Sequence, residues 1–202
     1  MTLLTWNNES GFTIAELLTS AFILLVISAS VFRSLSDTQS SAAYQSEVQA
    51  VLDNTRIAMQ LIERHIRQAG NDPLEAGING ITIIGVGQLR IQSDLTGSSG
   101  AGNPDKGDPD GDIADSNEDV TIRYNGTTRT LEIVPEGGPA QTVASCISAL
   151  SFQYFDANGN ITNIGSEVRR ITVSISGSSL QPNIQTREQF GVQITSDIEI
   201  AT

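Results

Sequence analysis

The residues best suited to chemistry lie in an acidic loop, residues 103–119. Five side chains there end in carboxylate or amide oxygens at short spacing: Asp108, Asp110, Asp112, Asp115 and Asn117. Calcium takes six to eight hard oxygen ligands, and loops in which acidic residues alternate around a glycine gather such ligands at one point. Gly111 supplies that glycine. The sequence therefore predicts a calcium (Ca²⁺) site formed by these five residues.

The same loop has a second explanation. Residues 105–119 hold seven acidic residues and one Lys, a charge of −6 out of −12 for the 202-residue chain. Such a segment after the Gly/Ser-rich stretch 97–102 also fits a solvated loop without a ligand. Seven unneutralised charges repel one another, so either a cation or an extended loop is needed. The sequence leaves both explanations open.

The spacing of the acidic residues resembles thrombospondin type 3 calcium repeats more than an EF-hand. With Gly111 at the EF-hand glycine, the first ligand position would be Lys106 and the twelfth Asn117. An EF-hand needs an acidic residue at its twelfth position, so this register fails.

The counts of histidine and cysteine limit the enzymatic possibilities. The chain has one of each, His65 and Cys146, which excludes an intrachain disulfide and clustered His/Cys metal centres. We expect His65 to be partly packed or at the surface rather than catalytic. We expect Cys146 to be a small buried residue inside a strand, with an intermolecular disulfide as the alternative. The chain is therefore predicted not to be an enzyme, and its acidity disfavours binding to nucleic acid.

The N-terminal region contains a long apolar run. Residues 12–32 form 21 consecutive positions with one charge, Glu16. At about 1.5 Å per residue such a helix spans roughly 30 Å, the thickness of a bilayer core. Residues 12–33 are therefore predicted to form a transmembrane helix. A carboxylate in such a segment is costly and calls for a partner or a position at the membrane edge.

The motif GFTIAE at residues 11–16, followed by this run, resembles the N-terminus of type IV prepilins. The resemblance implies that prepilin peptidase cuts between Gly11 and Phe12, removes the leader 1–11 and methylates the new N-terminus. It also implies that Glu16 pairs with the N-terminal amine of a neighbouring subunit during assembly. Leaders of that family usually carry Lys or Arg, and this one carries neither.

The predicted helix continues beyond the membrane segment. Apolar residues recur at three- and four-residue steps from Val48 to Ile66, which indicates one buried helix face. No Gly or Pro interrupts residues 12–69, and Gly70 and Pro73 supply a stop signal. We expect one continuous helix whose amphipathic part, residues 34–69, packs on a globular domain.

The remaining residues, 70–202, show strand patterns. Strands are predicted at residues 81–84, 89–91, 120–124, 130–134, 168–176 and 190–200, and a longer apolar strand is predicted within residues 143–155. Asn125-Gly126 marks a hairpin turn, which also explains the glycosylation triplet that begins there. No helical pattern separates these strands, so an antiparallel sheet is expected. The fold class is α+β, with one long N-terminal helix whose second half packs on the sheet.

Two further segments carry a resemblance. Residues 62–73 and 147–159 resemble the helix end and a later strand and turn of PilW-like minor pilins. The resemblance implies a pilin-like fold and a minor pilin that is incorporated into, or primes, a type IV pilus. Its partners would be other pilins, bound through the N-terminal helix, and prepilin peptidase. It would start as a single-pass inner-membrane protein with its C-terminal domain outside the cytoplasm, and then enter the fibre.

Two alternatives remain open at this point. The N-terminal motif and general plan also resemble the minor pseudopilins of type II secretion, especially the J subunit, which act in a short periplasmic fibre. A different class of function is a calcium-dependent adhesive module at a fibre tip, for which the acidic loop would supply the binding surface.

Overall fold

The structure is a computed structural model that describes residues 11, 13–97, 107–183 and 186–200. Its architecture is α+β, with one long N-terminal helix and antiparallel β-sheets. Contacts divide the chain into two compact units, Met1–Gln45 and Ser46–Thr202. The division falls inside the segment 34–69 that the sequence predicts to be amphipathic helix.

Helix α1 is continuous over Ile14–Gln68, which agrees with the prediction of one helix over residues 12–69. Phe12 lies outside the described residues. At the C-terminal end Gly70 adopts φ +74°, a left-handed conformation that glycine takes without steric cost. The Asn71 N–H donates to the carbonyl of Gln68 at 3.1 Å, which closes the last turn.

The second part of α1 buries one face. Its buried residues fall at three- and four-residue steps: Val51, Thr55, Ala58, Met59, Ile62, His65 and Ile66. This agrees with the predicted stripe, except that Val48 and Leu52 are half-buried and His65 joins the buried face. The packing is tight where α1 passes β7, because a Cβ at Gly177 would collide with the Thr55 hydroxyl and lie 3.0 Å from Val51 Cγ1.

The first sheet has five strands in sequence order. They are β1 (Ile81–Gly85), β2 (Gln88–Gln92), β3 (Asp119–Asn125), β4 (Thr130–Pro135) and β5 (Gln141–Ala144). All neighbours are antiparallel. The predicted hairpin is confirmed, with Val120–Asn125 paired to Thr130–Pro135.

The second sheet has three antiparallel strands, also in sequence order. They are β6 (Ile147–Phe155), β7 (Arg170–Ser178) and β8 (Gly191–Glu199). Where the sequence led us to expect a single antiparallel sheet, the described residues form two. A single 3₁₀ turn, Gly165–Glu167, precedes β7.

The longer strand predicted within residues 143–155 is confirmed as β6, but the chain changes sheets before that strand begins. It leaves the first sheet at Ala144 and enters the second at Ile147. Cys146 takes φ +62° in this connection, and its carbonyl accepts the Ser178 N–H at 2.9 Å. Cys146 is therefore outside the strands and half-buried, not the buried strand residue that the apolar run predicted.

The hydrophobic core of unit Ser46–Thr202 combines the buried face of α1 with residues from both sheets. Fully buried contributors include Ile62 on the helix, Leu89 and Ile122 in the first sheet, and Ile171 and Ile175 in the second. Burial of this apolar surface is the main force that holds the second half of α1 on the sheets.

Candidate functional site: the N-terminal helix and the acidic loop

The N-terminal end of α1 is closed by a capping box. Thr13 Oγ1 accepts the backbone N–H of Glu16 at 3.3 Å, while Glu16 Oε2 accepts the backbone N–H and the hydroxyl of Thr13, each at 3.0 Å. The reciprocal bonds satisfy N–H groups that have no partner within the helix. The signal was present in the sequence as Thr-x-x-Glu, and our sequence analysis missed it.

Gly11 and Glu16, for which the prepilin resemblance predicts roles in processing and assembly, are found at this end of the helix. Gly11 is exposed and precedes the helix, Phe12 lies outside the described residues, and Glu16 is exposed in the first turn. A carboxylate at a helix N-terminus interacts favourably with the helix dipole. Glu16 therefore has a structural role within its own chain, in addition to the intersubunit role that the sequence predicts.

The first half of α1 presents an apolar surface. Twelve large apolar side chains are exposed by 48 to 81%: Ile14, Leu17, Leu18, Phe22, Ile23, Leu24, Leu25, Val26, Ile27, Val31, Phe32 and Leu35. They surround the helix on all sides, which is typical of a helix in an apolar environment rather than of a surface helix. By length and composition α1 is the one described helix long and apolar enough to cross a membrane.

Hydroxyl groups in this half find partners within the helix. The side chains of Thr19, Ser20 and Ser30 donate to the carbonyls of Ala15, Leu17 and Val26 at 2.7, 3.0 and 2.9 Å. A hydroxyl that donates to its own helix needs no water. This half of α1 is thus suited to a medium without hydrogen-bonding partners.

The acidic loop begins with exposed aspartates. Asp108, Asp110 and Asp112 are exposed, and Asp115 is half-buried. Asp112 Oδ1 accepts the Ala114 N–H at 2.8 Å, a local turn of the kind that aspartate favours.

Two buried carboxylates outside the predicted ligand set organise this loop. Glu118 and Asp94 are both 0% exposed. Glu118 Oε1 accepts the N–H groups of Leu95 and Thr96 at 2.8 and 2.7 Å, and its Oε2 accepts the Asp115 N–H at 3.1 Å. Hydrogen bonds to charged acceptors are among the stronger ones in proteins, so these bonds stabilise the described part of the loop, residues 107–119.

Asp94 anchors the other part of the loop. Its carboxylate accepts the N–H groups of Asp110 and Gly111 at 3.2 and 2.8 Å. Its backbone is tied to Asn71, since the Asp94 N–H donates to the Asn71 carbonyl at 2.8 Å. The acidic loop is thereby fixed to the segment that follows α1. No pattern in the sequence separates Asp94 and Glu118 from the solvated acidic residues around them.

The calcium prediction stays a prediction. Within residues 13–97, 107–183 and 186–200, no group of three acidic, His or Cys side chains converges in a way that could hold a metal ion. The loop contains the five predicted ligands, Asp108, Asp110, Asp112, Asp115 and Asn117. The carboxylates of the loop accept hydrogen bonds from backbone N–H groups. Asp105 at the start of the acidic segment lies outside the described residues.

An ion pair follows the loop at the start of β3. Asp119 is 5% exposed; it receives Arg90 in two hydrogen bonds of 2.7 and 2.6 Å, and Gln92 in a third of 2.8 Å. Burial opposes the charge of Asp119, but the bonds from Arg90 and Gln92 outweigh it and hold the pKa of that carboxyl below its usual range. The Arg90–Asp119 ion pair joins β2 to the start of β3, next to the acidic loop.

His65, the residue weighed for catalysis, has structural surroundings. His65 is 5% exposed on the buried face of α1, more deeply packed than predicted. Burial and the nearby Arg64 charge lower the pKa of its imidazole. The imidazole of His65 has no hydrogen bond to a side chain or backbone group of the described residues. Its surroundings are those of a core residue, and the absence of enzymatic activity remains a prediction.

The chain was compared with known proteins. No protein-family model matches it, and its sequence has no significant match among curated proteins.

Proposed function

We propose that the chain is a minor pilin that is processed by prepilin peptidase and assembles through α1 into a type IV pilus. The observation that carries the proposal is the first half of α1. Its residues 14–35 are apolar on all sides, and their only carboxylate, Glu16, lies in the first turn, five residues after Gly11. The resemblance of residues 11–16 to prepilins gives this arrangement its functional meaning.

Physical considerations support the order of events. Before assembly, a bilayer covers the apolar half of the helix. Cleavage after Gly11 creates an α-amino cation on Phe12, and the Glu16 carboxylate of a neighbour neutralises such a charge. Two charges in an apolar medium are tolerated when they are paired. In the fibre, the same apolar surface packs against the helices of neighbouring subunits.

The finer parts of the proposal concern family and location. We infer a pilin-like fold of the PilW-like group, an inner-membrane precursor, and a β-domain outside the cytoplasm that stays on the fibre exterior. The arrangement of one long helix and antiparallel sheets supports this inference.

The test of processing and location is mass spectrometry of the N-terminal peptide. It is measured in sheared surface fibres and in the membrane fraction of the same cells. A methylated N-terminus at Phe12 in sheared fibres is the expected result. The same peptide in membranes alone would favour a secretion pseudopilin or a subunit at the fibre base. An intact leader of residues 1–11 in both fractions would refute the proposal.

The test of Glu16 separates its charge from its capping role. Glu16→Gln retains an acceptor for the capping box and removes the charge, whereas Thr13→Ala removes half of the box and retains the charge. We expect Glu16→Gln chains to be cleaved but not incorporated into fibres, and Thr13→Ala chains to be incorporated. Normal incorporation of Glu16→Gln would leave Glu16 with the capping role alone.

A further inference from the structure

Asparagine followed by glycine occurs three times in the chain, at Asn79-Gly80, Asn125-Gly126 and Asn158-Gly159. Asparagine is among the thermally labile residues, because its side-chain amide can react with the backbone nitrogen of the next residue. Glycine has no side chain to shield that nitrogen. Since the three sites have the same two reactive residues, the structure around each site determines which of them reacts in the folded chain.

The reaction joins two groups of the same chain and releases ammonia. The backbone nitrogen of the glycine loses its proton and attacks Cγ of the asparagine. A C–N bond forms, the side-chain amide leaves as ammonia, and a five-membered succinimide ring remains. Water then opens the ring at one of its two carbonyls, which gives aspartate or isoaspartate. The attack requires the planar peptide group between the two residues to rotate as a unit, and the side chain to leave its hydrogen bonds.

The Asn125 side chain is held through both of its polar atoms. Asn125 ends β3, where it is paired with Thr130. Its Nδ2 donates to Oε1 of Glu132 at 2.8 Å, and its Oδ1 accepts the Thr127 N–H at 3.1 Å. Two hydrogen bonds of ordinary strength lower the population of the released side chain about tenfold. Asn125 is therefore the best protected of the three.

Asn158 is exposed in the turn that follows β6, and its backbone is held there. Its N–H donates to Oδ1 of Asp156 at 2.8 Å, and the Gly159 N–H donates to the Asp156 carbonyl at 3.1 Å. The nitrogen that has to attack is therefore engaged in a hydrogen bond. Rotation of its peptide group would open the turn, so we expect Asn158 to have intermediate protection.

The peptide group between Asn79 and Gly80 is held at neither end. Asn79 is exposed in the segment between α1 and β1. Within the part of the chain that the structure describes, its side chain makes no hydrogen bond, and neither its carbonyl nor the Gly80 N–H takes part in a backbone hydrogen bond. Asn79 also lines an open cavity of about 220 Å³ with Ser166, which gives water access to the site.

Packing requires glycine after Asn79. A Cβ at Gly80 would collide with the backbone nitrogen of Gly70 and lie 2.6 Å from its Cα. The Gly80 carbonyl accepts the Gln92 N–H at 3.0 Å, and the Gly70 N–H donates to the Gln92 carbonyl at 3.0 Å. Gly80 thus joins the end of α1 to β2 through close backbone contacts, and the same packing leaves the nitrogen after Asn79 unshielded.

We propose that Asn79 is the deamidation site of the folded chain, and that isoaspartate at this position loosens the junction between α1 and the first sheet. Isoaspartate lengthens the main chain by one carbon directly before Gly80, where the close backbone contacts leave no room for it. Deamidation also adds a negative charge to a chain that carries −12. The inference does not depend on the proposed function.

The experiment follows all three sites in one sample. The full chain in detergent is incubated in a mildly alkaline buffer and digested with trypsin at successive times. Trypsin cuts after Lys and Arg, so the sites fall on separate peptides, residues 68–90, 124–129 and 130–169. Chromatography with mass spectrometry separates the asparagine, aspartate and isoaspartate forms of each peptide. A parallel sample in concentrated urea gives the rates without the structure.

The folded chain should deamidate at Asn79 first and at Asn158 more slowly. Asn125 should react about tenfold more slowly than Asn79, since two hydrogen bonds hold its side chain. In urea the three rates should converge, because each asparagine precedes a glycine. As deamidation proceeds, hydrogen exchange at the Gln92 N–H should become faster. Asn79→Gln cyclises far more slowly, so its exchange at Gln92 should stay unchanged after the same incubation.

A matched pair of variants tests whether hydrogen bonds set the order of the rates. Glu132→Ala removes the acceptor of Asn125 Nδ2 and should raise the rate at Asn125, whereas Glu132→Gln keeps an acceptor and should change the rate less. The rate at Asn158 in the same samples reports on folding, and it should stay the same in both variants.

Two outcomes would overturn the proposal. A rate at Asn79 no higher than that at Asn125 in the folded chain would show that the local hydrogen bonds do not select the site. Unchanged exchange at the Gln92 N–H after isoaspartate has formed at residue 79 would show that the junction accommodates the longer main chain. Both outcomes leave leader cleavage and the Glu16 requirement unaffected, so they are distinguishable from failure of the proposed function.

Discussion

The two halves of α1 contrast sharply although they belong to one uninterrupted helix. In the first half, large apolar side chains such as Leu24 are exposed by 66%, whereas in the second half Ile62 is fully buried. Residues 14–35 are apolar all round, whereas the second half is apolar on one face and carries arginines on the other. The same backbone thus serves two environments, because side chains alone decide which medium each half requires.

The contrast teaches where the stability of each half arises. Tertiary packing supplies most of the stability of helices in proteins. Unit Ser46–Thr202 supplies that packing for its own part of the helix. Among the described residues, the apolar side chains of Met1–Gln45 find no such cover, so a bilayer or other helices must supply it.

The largest expected difference in the free energy of unfolding is between a substitution in the core and one at an exposed apolar residue. Ile62→Ala should lower the free energy of unfolding of unit Ser46–Thr202 by about 2–5 kcal/mol, because it removes buried apolar contacts and leaves a cavity. Leu24→Ala should leave it unchanged. Urea titration of the full chain in detergent, followed by pulse proteolysis, measures both. A comparable loss in Leu24→Ala would show that the two halves share one stabilising core.

The tight approach of α1 to β7 provides a second test. Gly177→Ala introduces a Cβ into the Thr55 hydroxyl and against Val51, and overpacking of this kind costs about 1–3 kcal/mol. Gly191→Ala is the matched control, since its nearest neighbour is the Gly177 carbonyl at 4.0 Å. Urea titration of both variants should show a loss in the first alone. Equal behaviour would mean that the helix moves aside without cost.

His65 makes the stability of unit Ser46–Thr202 depend on pH. The pKa of its imidazole is lowered by burial and by Arg64, so the unfolded chain, with a His pKa near 6.5, binds its proton first. The contribution of neutral His65 to the free energy of unfolding is therefore fully present above about pH 6.5. It is lost as the pH falls from there towards the pKa of His65 in the folded chain. His65→Leu should flatten this slope between about pH 7.5 and pH 5.5. An unchanged slope would assign it to other groups.

The smallest expected effect concerns Glu47, near the start of the part of α1 that belongs to unit Ser46–Thr202. The Glu47 carboxylate accepts the N–H groups of Leu180 and Gln181 at 2.5 and 3.1 Å. Glu47→Ala should speed hydrogen exchange at these two amides and lower stability by less than about 1 kcal/mol. Glu47→Gln keeps an acceptor and should change exchange less. Identical exchange in all three proteins would show that the contact is not maintained in solution.

The sequence predicted those elements whose patterns are local. The long helix and the hairpin around Asn125 followed from periodicity and turn residues, because these signals act over a few neighbouring positions. The sheet change at Cys146 did not, since an apolar run looks the same whether it lies in one strand or in two. A positive φ at a non-glycine residue depends on distant partners, here the N–H of Ser178.

The candidate site was predictable to a similar extent. The Thr13–Glu16 capping box has a signal in the sequence, whereas the roles that the prepilin resemblance implies for Gly11, Phe12 and Glu16 stay predictions. The internal order of the acidic loop could not be predicted. Whether a carboxylate such as Asp94 or Glu118 points into water or onto backbone N–H groups depends on the fold around it, and composition carries no information on that choice.

The order of the strands has a consequence for how the chain folds. In both sheets every strand pairs with its neighbour in the sequence, so no pairing has to wait for a distant segment. Low sequence separation between contacts shortens the search for the native state and favours fast folding. A chain that emerges N-terminus first can therefore complete the five-stranded sheet while β6–β8 are still to come. This order limits the time during which unpaired strand edges are exposed to aggregation.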